Sequence, residues 1–146
     1  MTIEEISSSL PNGFHDSEIC SLHLDYERAE ASLLMDIDFS SPNGATAEST
    51  RQGILKLKGV LYFVIEAPGV NVGEDENGQS EKLWVTGDSS DFSVLKGAPQ
   101  LPVSLPEGSF RHWFFLSNLN CFMYVAAREA SFQWWSSTHM RARTPI

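Results

Sequence analysis

The densest group of side chains able to do chemistry lies near the start of the chain, in the run Phe14-His15-Asp16-Ser17-Glu18. Imidazole and carboxylate groups this close together serve as metal ligands or as acid–base partners. The same residue types also satisfy the amides of a turn, and along an extended chain His15 and Asp16 point to opposite faces. We therefore favour a structural role. The alternative is a pocket that gathers four side chains: His15, Asp16, Glu18 and His112.

The remaining reactive residue types are isolated in the sequence. His112 precedes Trp113 in an apolar run, where a histidine is usually packed and hydrogen-bonded. Cys20 and Cys121 lack zinc spacing and a neighbouring base, so we expect two reduced, buried thiols, with a single disulfide as the other option. No P-loop, dinucleotide-binding glycine pattern or HExxH is present. We expect no cofactor and no metal, and an enzyme is the less favoured class.

A second set of residues suits recognition better than catalysis. The run Glu74-Asp75-Glu76 lacks the oxygen spacing of a calcium loop and is expected to be solvated. With Asp88 and Asp91 it predicts an acidic face that attracts a basic partner. The adjacent Trp134 and Trp135 point to opposite faces of a strand. We favour both indoles being covered by the tail or a neighbouring strand, and the alternative is that one packs inward while Trp135 is exposed as an interface anchor or a sugar-stacking platform.

The spacing of apolar residues and the turn-forming residues predict which helices and strands hold these side chains. Thr2 and Glu5 form a capping-box pattern, and Pro11-Asn12-Gly13 ends the short helix that it predicts. Period-two alternation then predicts strands. Two hairpins are expected, one of segments 20–26 and 33–39 and one of segments 119–127 and 130–135. The other expected strands are a long one at 54–65 with a bend at Gly59, two short ones at 83–86 and 92–95, and one at 110–115.

Together these segments predict a mainly β (α+β) fold. About eight antiparallel strands form a sandwich or a strongly curled sheet, with one short N-terminal helix. In the long strand 54–65, apolar and polar residues alternate before Gly59, and the residues after it are apolar on both faces. This pattern predicts that the strand runs from the edge of the sheet into its covered centre. A helical alternative exists for 119–130. We expect a single domain over residues 1–146, with a flexible tail at 136–146.

Composition narrows the class of function. The 146 residues are 42% hydrophobic and 20% charged, which is typical of a globular domain. Ten basic and nineteen acidic residues give a net charge of −9, which disfavours nucleic acid as a partner. The longest apolar run, Val60–Ile65, is too short to span a membrane, and the N-terminus lacks a secretory pattern. We therefore expect a cytoplasmic protein.

Three stretches of the chain also resemble a family of small uncharacterised bacterial proteins. They are Leu10-Pro11-Asn12-Gly13-Phe14-His15-Asp16-Ser17-Glu18, the run from Gly59 to Pro68, and the closing stretch from Trp113 to Trp134. The Phe-His-Asp opening is similar to that of the immunity protein 50 family of bacterial polymorphic toxin systems. That resemblance implies a protein that binds and neutralises a toxin and carries no catalytic set.

The sequence thus favours a non-catalytic binding protein, of the immunity type, which meets a basic toxin through an acidic surface. A small enzyme or ligand-binding protein with a His/Asp/Glu pocket is the first alternative. The second is a self-associating structural module, a homo-oligomer joined through strand edges or an apolar patch.

Overall fold

A computed structural model describes residues 1–40, 50–69, 83–96 and 100–135. It confirms the mainly β fold with one short N-terminal helix. The elements are α1 (Ile3–Ser9), β1 (Ser17–Asp25), β2 (Glu30–Asp38), β3 (Thr50–Lys58), β4 (Tyr62–Ile65), β5 (Leu83–Ser89), a 3₁₀ turn (Phe92–Val94), β6 (Phe110–Leu116), β7 (Cys121–Ala127) and β8 (Glu129–Trp134). The predicted tail 136–146 lies outside the described residues.

Helix α1 is capped as its sequence predicts. The Thr2 hydroxyl accepts a hydrogen bond from the amide of Glu5, and the Glu5 carboxylate accepts one from the amide of Thr2. Ile3 and Ile6 point into the core and are at most 1% exposed. Because the helix is only seven residues long, this burial is what stabilises it.

All eight strands belong to one antiparallel sheet in the order β4-β7-β6-β5-β1-β2-β3-β8. We divide it into a first half (β1, β2, β3, β8) and a second half (β4, β5, β6, β7). The end strands β4 and β8 do not pair with each other, so the sheet is unclosed. Apolar side chains from the inner faces of both halves and from α1 form a single core, which includes Leu33, Met35, Leu55, Phe114, Leu116 and Val125.

The two ends of the sheet meet at a corner. Here β3 continues into β4 and β7 continues into β8, although the strands of each pair lie at opposite ends of the sheet. The Arg128 amide donates to the carbonyls of Lys58 and Gly59, at 3.1 and 3.2 Å. Gly59 has φ of 63°, and a Cβ there would lie 2.8 Å from the Arg128 side chain. Glycine is thus required where the two segments bend together.

This corner corrects two predictions. The stretch 54–65 is two strands, and it runs from inside the sheet to its end strand rather than from an edge into a centre. The stretches 119–127 and 130–135 do not form a hairpin, because β7 pairs with β4 and β6 while β8 pairs with β3. Consecutive strands usually pair with each other, and the bend at Arg128 separates these two.

A third correction concerns residues 92–95, which were predicted as a strand. Phe92–Val94 form a 3₁₀ turn, because the Asp91 carboxylate accepts hydrogen bonds from the amide and the hydroxyl of Ser93, at 2.9 and 2.6 Å. Side-chain capping of this kind draws the backbone away from a strand ladder. The helical alternative for 119–130 is also wrong, since β7 and β8 occupy that stretch.

Candidate functional site

The outer face of the second half carries a cluster of aromatic rings. The Phe122 ring lies 5.0 Å from the ring of Phe115 and 5.6 Å from that of Trp113, measured between centroids. All three side chains are half-buried. Trp84 is 43% exposed and lies on the same face, since its neighbour Val85 is buried in the core. We call Trp84, Trp113, Phe115 and Phe122 the aromatic patch.

The 3₁₀ turn holds one side of this patch in place. The Trp113 indole N–H donates to the carbonyl of Asp91 at 2.8 Å. The Phe92 ring lies 6.1 Å from that of Tyr124, and the Arg111 guanidinium stacks on Phe92 with its Cζ 4.5 Å from the ring centroid. The patch is therefore preorganised on one side, which lowers the entropy cost of binding.

Three carboxylates surround the aromatic patch. Glu18 lies directly opposite Trp84 in the ladder of β1 and β5. Asp91 stands beside Trp113, and Glu66 accepts a hydrogen bond from the amide of Phe122 at 2.8 Å. We call Glu18, Glu66 and Asp91 the acidic rim. The Arg111 guanidinium lies near this rim and lowers the pKa of Asp91, so it offsets part of the negative charge.

Hydrogen bonds and burial shift the pKa values of three groups on this half of the sheet, which are Asp91, Tyr124 and Cys121. Hydrogen bonds from the hydroxyl and amide of Ser93 lower the pKa of Asp91, so this carboxyl group is ionised at neutral pH. Burial, with the nearby carboxylate of Glu66, raises the pKa of Tyr124 to about 12. Burial and Glu66 also raise the pKa of Cys121, which disfavours the thiolate. No disulfide joins Cys20 to Cys121; Cys121 is buried, as predicted, whereas Cys20 is half-buried.

The Phe-His-Asp run forms the turn that leads into β1. Phe14 is fully buried and packs edge-on against Phe114, with ring centroids 5.8 Å apart. His15 and Asp16 do not point apart, as an extended chain would require, because Asp16 has φ of 61°. Their side chains instead pair at 3.0 Å while remaining 61% and 44% exposed. An exposed pair of this kind contributes little to stability.

His112 finds a different partner. Its Nε2 lies 2.6 Å from a carboxylate oxygen of Asp88, and the two side chains are only 2% and 10% exposed. A histidine oriented by a carboxylate is also the arrangement of a general base. The second ring nitrogen, Nδ1, is buried without a hydrogen-bond partner among the described residues. Substrate has no open route to it, since His112 as a whole is 1% exposed.

The structure therefore does not gather the four predicted pocket residues. His15 pairs with Asp16, His112 pairs with Asp88, and Glu18 belongs to the acidic rim. Within residues 1–40, 50–69, 83–96 and 100–135, no group of three or more His, Cys, Asp or Glu side chains is arranged to hold a metal ion.

The predicted acidic face is only partly described. Glu74, Asp75 and Glu76 lie outside the described residues. Asp88 is turned toward the core, so it does not belong to an exposed acidic face. Asp91 is exposed, as that prediction requires.

Trp134 and Trp135 occupy opposite faces of the sheet. Trp134 packs against Phe132 on the core side, with ring centroids 5.1 Å apart. Trp135 is half-buried and lines a groove on the outer face of the first half. This is the alternation that the sequence predicts for adjacent strand residues.

Sequence reasoning did not single out Phe115, Phe122 or Trp84. One feature of the sequence could have indicated them: three consecutive aromatic residues in one strand, Trp113-Phe114-Phe115. Because strand residues alternate between faces, such a run places aromatic side chains on the outer face as well, where they need a cover or a binding partner.

Comparisons of this chain with protein families, with curated proteins and with solved structures found no match. The resemblance to the immunity protein 50 family stays a prediction. Among the described residues, no helix has the length and apolar character needed to span a membrane.

Proposed function

We propose that this chain is a non-catalytic binding protein whose aromatic patch and acidic rim recognise a basic protein. The observation that supports this function best is the position of the patch. Four large aromatic side chains lie on one outer sheet face, none of them fully buried, with three carboxylates around them. An apolar centre with a charged rim is the usual organisation of a protein interface.

The residue types in the patch are those that carry binding energy. Tryptophan and arginine are enriched among interface residues whose truncation is most costly, and aromatic side chains as a group are enriched at interfaces. Trp84 offers the most accessible ring, at 43% exposure. Phe115 and Phe122 pack on each other and add apolar surface to the same face. We expect Trp84 to insert into a pocket of the partner.

Charge defines the class of partner. The chain has a net charge of −9, and Glu18, Glu66 and Asp91 add local negative potential around the patch. Complementary charge speeds the encounter with a basic partner and disfavours acidic ones. Partners with lysine and arginine around an apolar contact would fit this surface.

Within that class, a toxin is the first partner to test. The resemblance of the Phe-His-Asp opening to the immunity protein 50 family implies an inhibitor that binds a toxin. In this chain those residues form a turn, with Phe14 in the core. The proposal therefore assigns recognition to the aromatic patch and gives the Phe-His-Asp run a structural role.

An enzyme is the second candidate, and one observation favours it. The Asp88 carboxylate orients His112 as it would orient a general base, and Nδ1 of that ring is without a partner among the described residues. Catalysis would require the inner face to open, since the imidazole is 1% exposed.

Affinity capture with matched variants tests the proposed function. The wild-type chain, Trp84→Ala and Tyr26→Ala are immobilised and exposed to extract of the source organism. Tyr26 is the control because it is an aromatic side chain that is 88% exposed and lies outside the patch. We expect a basic protein that binds wild type and Tyr26→Ala, is lost with Trp84→Ala, and dissociates as salt increases.

Two outcomes would overturn this function. One is that every captured protein binds Trp84→Ala as well as wild type. The other is that the protein lost with Trp84→Ala is acidic and its capture does not depend on salt.

A further inference from the structure

The outer face of the first half contains a groove of about 360 Å³ that the proposed function does not use. A volume of this size is within the range of about 300–1,000 Å³ found for small-molecule sites. Six side chains line it: Ser21, His23, Ser32, Leu34, Ile54 and Trp135. The groove lies on the opposite half of the sheet from the aromatic patch.

The strand register explains why these side chains meet. Ser21 lies opposite Leu34, His23 lies opposite Ser32, and Leu34 lies opposite Ile54 in the ladders of β1, β2 and β3. Directly opposed residues share a face, so all five project outward. Leu34 and Ile54 form an apolar floor, and two hydroxyls with one imidazole stand along its side.

Trp135 completes the groove from another strand. Its amide donates to the carbonyl of Gln52 at 2.9 Å, which fixes the residue after β8 beside β3. Trp134 points into the core and packs on Phe132, so the next side chain projects to the outer face. The indole thus lies beside a row of hydrogen-bonding groups.

We infer that this groove binds a neutral saccharide. The indole and the apolar floor suit the C–H face of a sugar ring, while the hydroxyls of Ser21 and Ser32 and the His23 imidazole can each donate or accept a hydrogen bond. None of the six lining residues is lysine or arginine, although Lys56 lies opposite Ser32 at one end of the groove. The net charge of −9 disfavours a phosphate-bearing ligand.

An apolar ligand fits the groove less well than a saccharide. It would cover the hydroxyls of Ser21 and Ser32 without offering them a hydrogen bond, and unsatisfied polar groups reduce affinity. A saccharide satisfies the hydroxyls and the apolar floor at once. The observation that distinguishes the two is therefore the alternation of polar and apolar side chains along the groove.

The test is titration of the whole chain with cellobiose, maltose and diacetylchitobiose at millimolar concentrations. Calorimetry measures affinity, and the indole N–H signals in NMR locate the contact. We expect at least one disaccharide to bind and to shift the Trp135 signal. Trp135→Ala should weaken that binding by about tenfold, as removal of an aromatic contact does.

Two further variants distinguish a loss of saccharide binding from a failure of the Trp135→Ala variant to fold. His23 is exposed, so His23→Ala should fold normally and still weaken binding. Tyr26→Ala removes an exposed aromatic outside the groove and should leave affinity unchanged. The inference is overturned if no disaccharide binds, if the acyclic polyol mannitol binds equally well, or if Trp135→Ala and His23→Ala both retain wild-type affinity.

Discussion

The two halves of the sheet share one core but present different outer faces. In the first half, inward residues such as Leu33 and Met35 are buried, and the outer face mixes polar residues such as Ser32 with the apolar Leu34 and Ile54. In the second half, Phe114 points inward and Phe115 points outward, so both faces are apolar. Alternation therefore identifies the core side of a strand clearly only where the residues of the other side are polar.

The outer face of the second half differs because it has its own cover. The 3₁₀ turn places Phe92 against Tyr124, which is 1% exposed, and the rings of Phe115 and Phe122 remain half-buried beside it. A small second apolar cluster therefore continues into an accessible surface. The first half has no such cover among its described residues, and it carries a groove lined by both polar and apolar side chains.

The largest expected effects come from the shared core. Leu33→Ala in the first half and Phe114→Ala in the second should each lower the free energy of unfolding by about 3–5 kcal/mol, because both side chains are buried and would leave cavities. Phe122→Ala on the outer face should lower the free energy of unfolding by clearly less, because the Phe122 side chain is only half-buried. Urea titrations measure all three. A loss with Phe122→Ala equal to that with Phe114→Ala would show that the second half has two cores.

The next effect concerns two histidines, one on each half. His112→Ala should lower the free energy of unfolding by about 3 kcal/mol, because it leaves the Asp88 carboxylate buried without its partner. His23→Ala should change it by less than about 0.5 kcal/mol, since its side chain is exposed. Thermal and urea unfolding of both variants measure this difference. Similar losses would contradict the assignment of the two histidines to core and surface.

A smaller effect is expected at the corner that joins the halves. Gly59→Ala and Gly108→Ala both place a side chain at positive φ, which costs about 1–2 kcal/mol. Gly59→Ala should cost more, because its Cβ would lie 2.8 Å from Arg128, whereas nothing lies within 4 Å at Gly108. Adding Arg128→Ala to Gly59→Ala should recover only part of the difference, because it removes Cγ and Cδ of Arg128 but leaves its Cβ, which lies 2.9 Å from the added Cβ. Equal stabilities of the two glycine variants would show that the corner is not tightly packed.

The smallest effect depends on pH and belongs to the second half. The pKa of Tyr124 is raised from 10.0 to about 12 in the folded chain, so its contribution is present below pH 10 and is lost as pH rises toward 12. Tyr124→Phe should therefore reduce the loss of stability across this range. Tyr62, whose pKa burial also raises, will account for part of the remaining slope.

Denaturation at several alkaline pH values measures this effect, with Tyr26→Phe as the control on an exposed ring. An unchanged slope for Tyr124→Phe would contradict the environment assigned to its hydroxyl.

Much of the local structure was predictable. The capping box of Thr2 and Glu5 and the pairing of β1 with β2 depend on residues close in sequence, where spacing alone is informative. The corner was not predictable, because Gly59 and Arg128 are far apart in the chain. Nothing in the residues around either one indicates that the two segments bend against each other. Pairing of adjacent segments was then the natural and incorrect expectation for β7 and β8.

The site was less predictable than the fold. Asp91 and Trp135 were selected as surface residues and lie at the surface, although on different halves of the sheet. Asp88 was selected for the same surface and lies against the core, because the register of β5 turns it toward His112. Phe115 and Phe122 become a patch only once β6 and β7 pair.

The amino-acid sequence was sufficient to predict the mainly β class, the capped helix and the alternating faces of the first hairpin, β1 with β2. These properties depend on backbone geometry and on neighbours a few residues away. The folded chain alone shows that Asp88 pairs with His112, that Trp84 shares an outer face with Phe115 and Phe122, and that Trp135 and His23 line one groove. Such contacts depend on strand order and register, which the packing of the whole core selects.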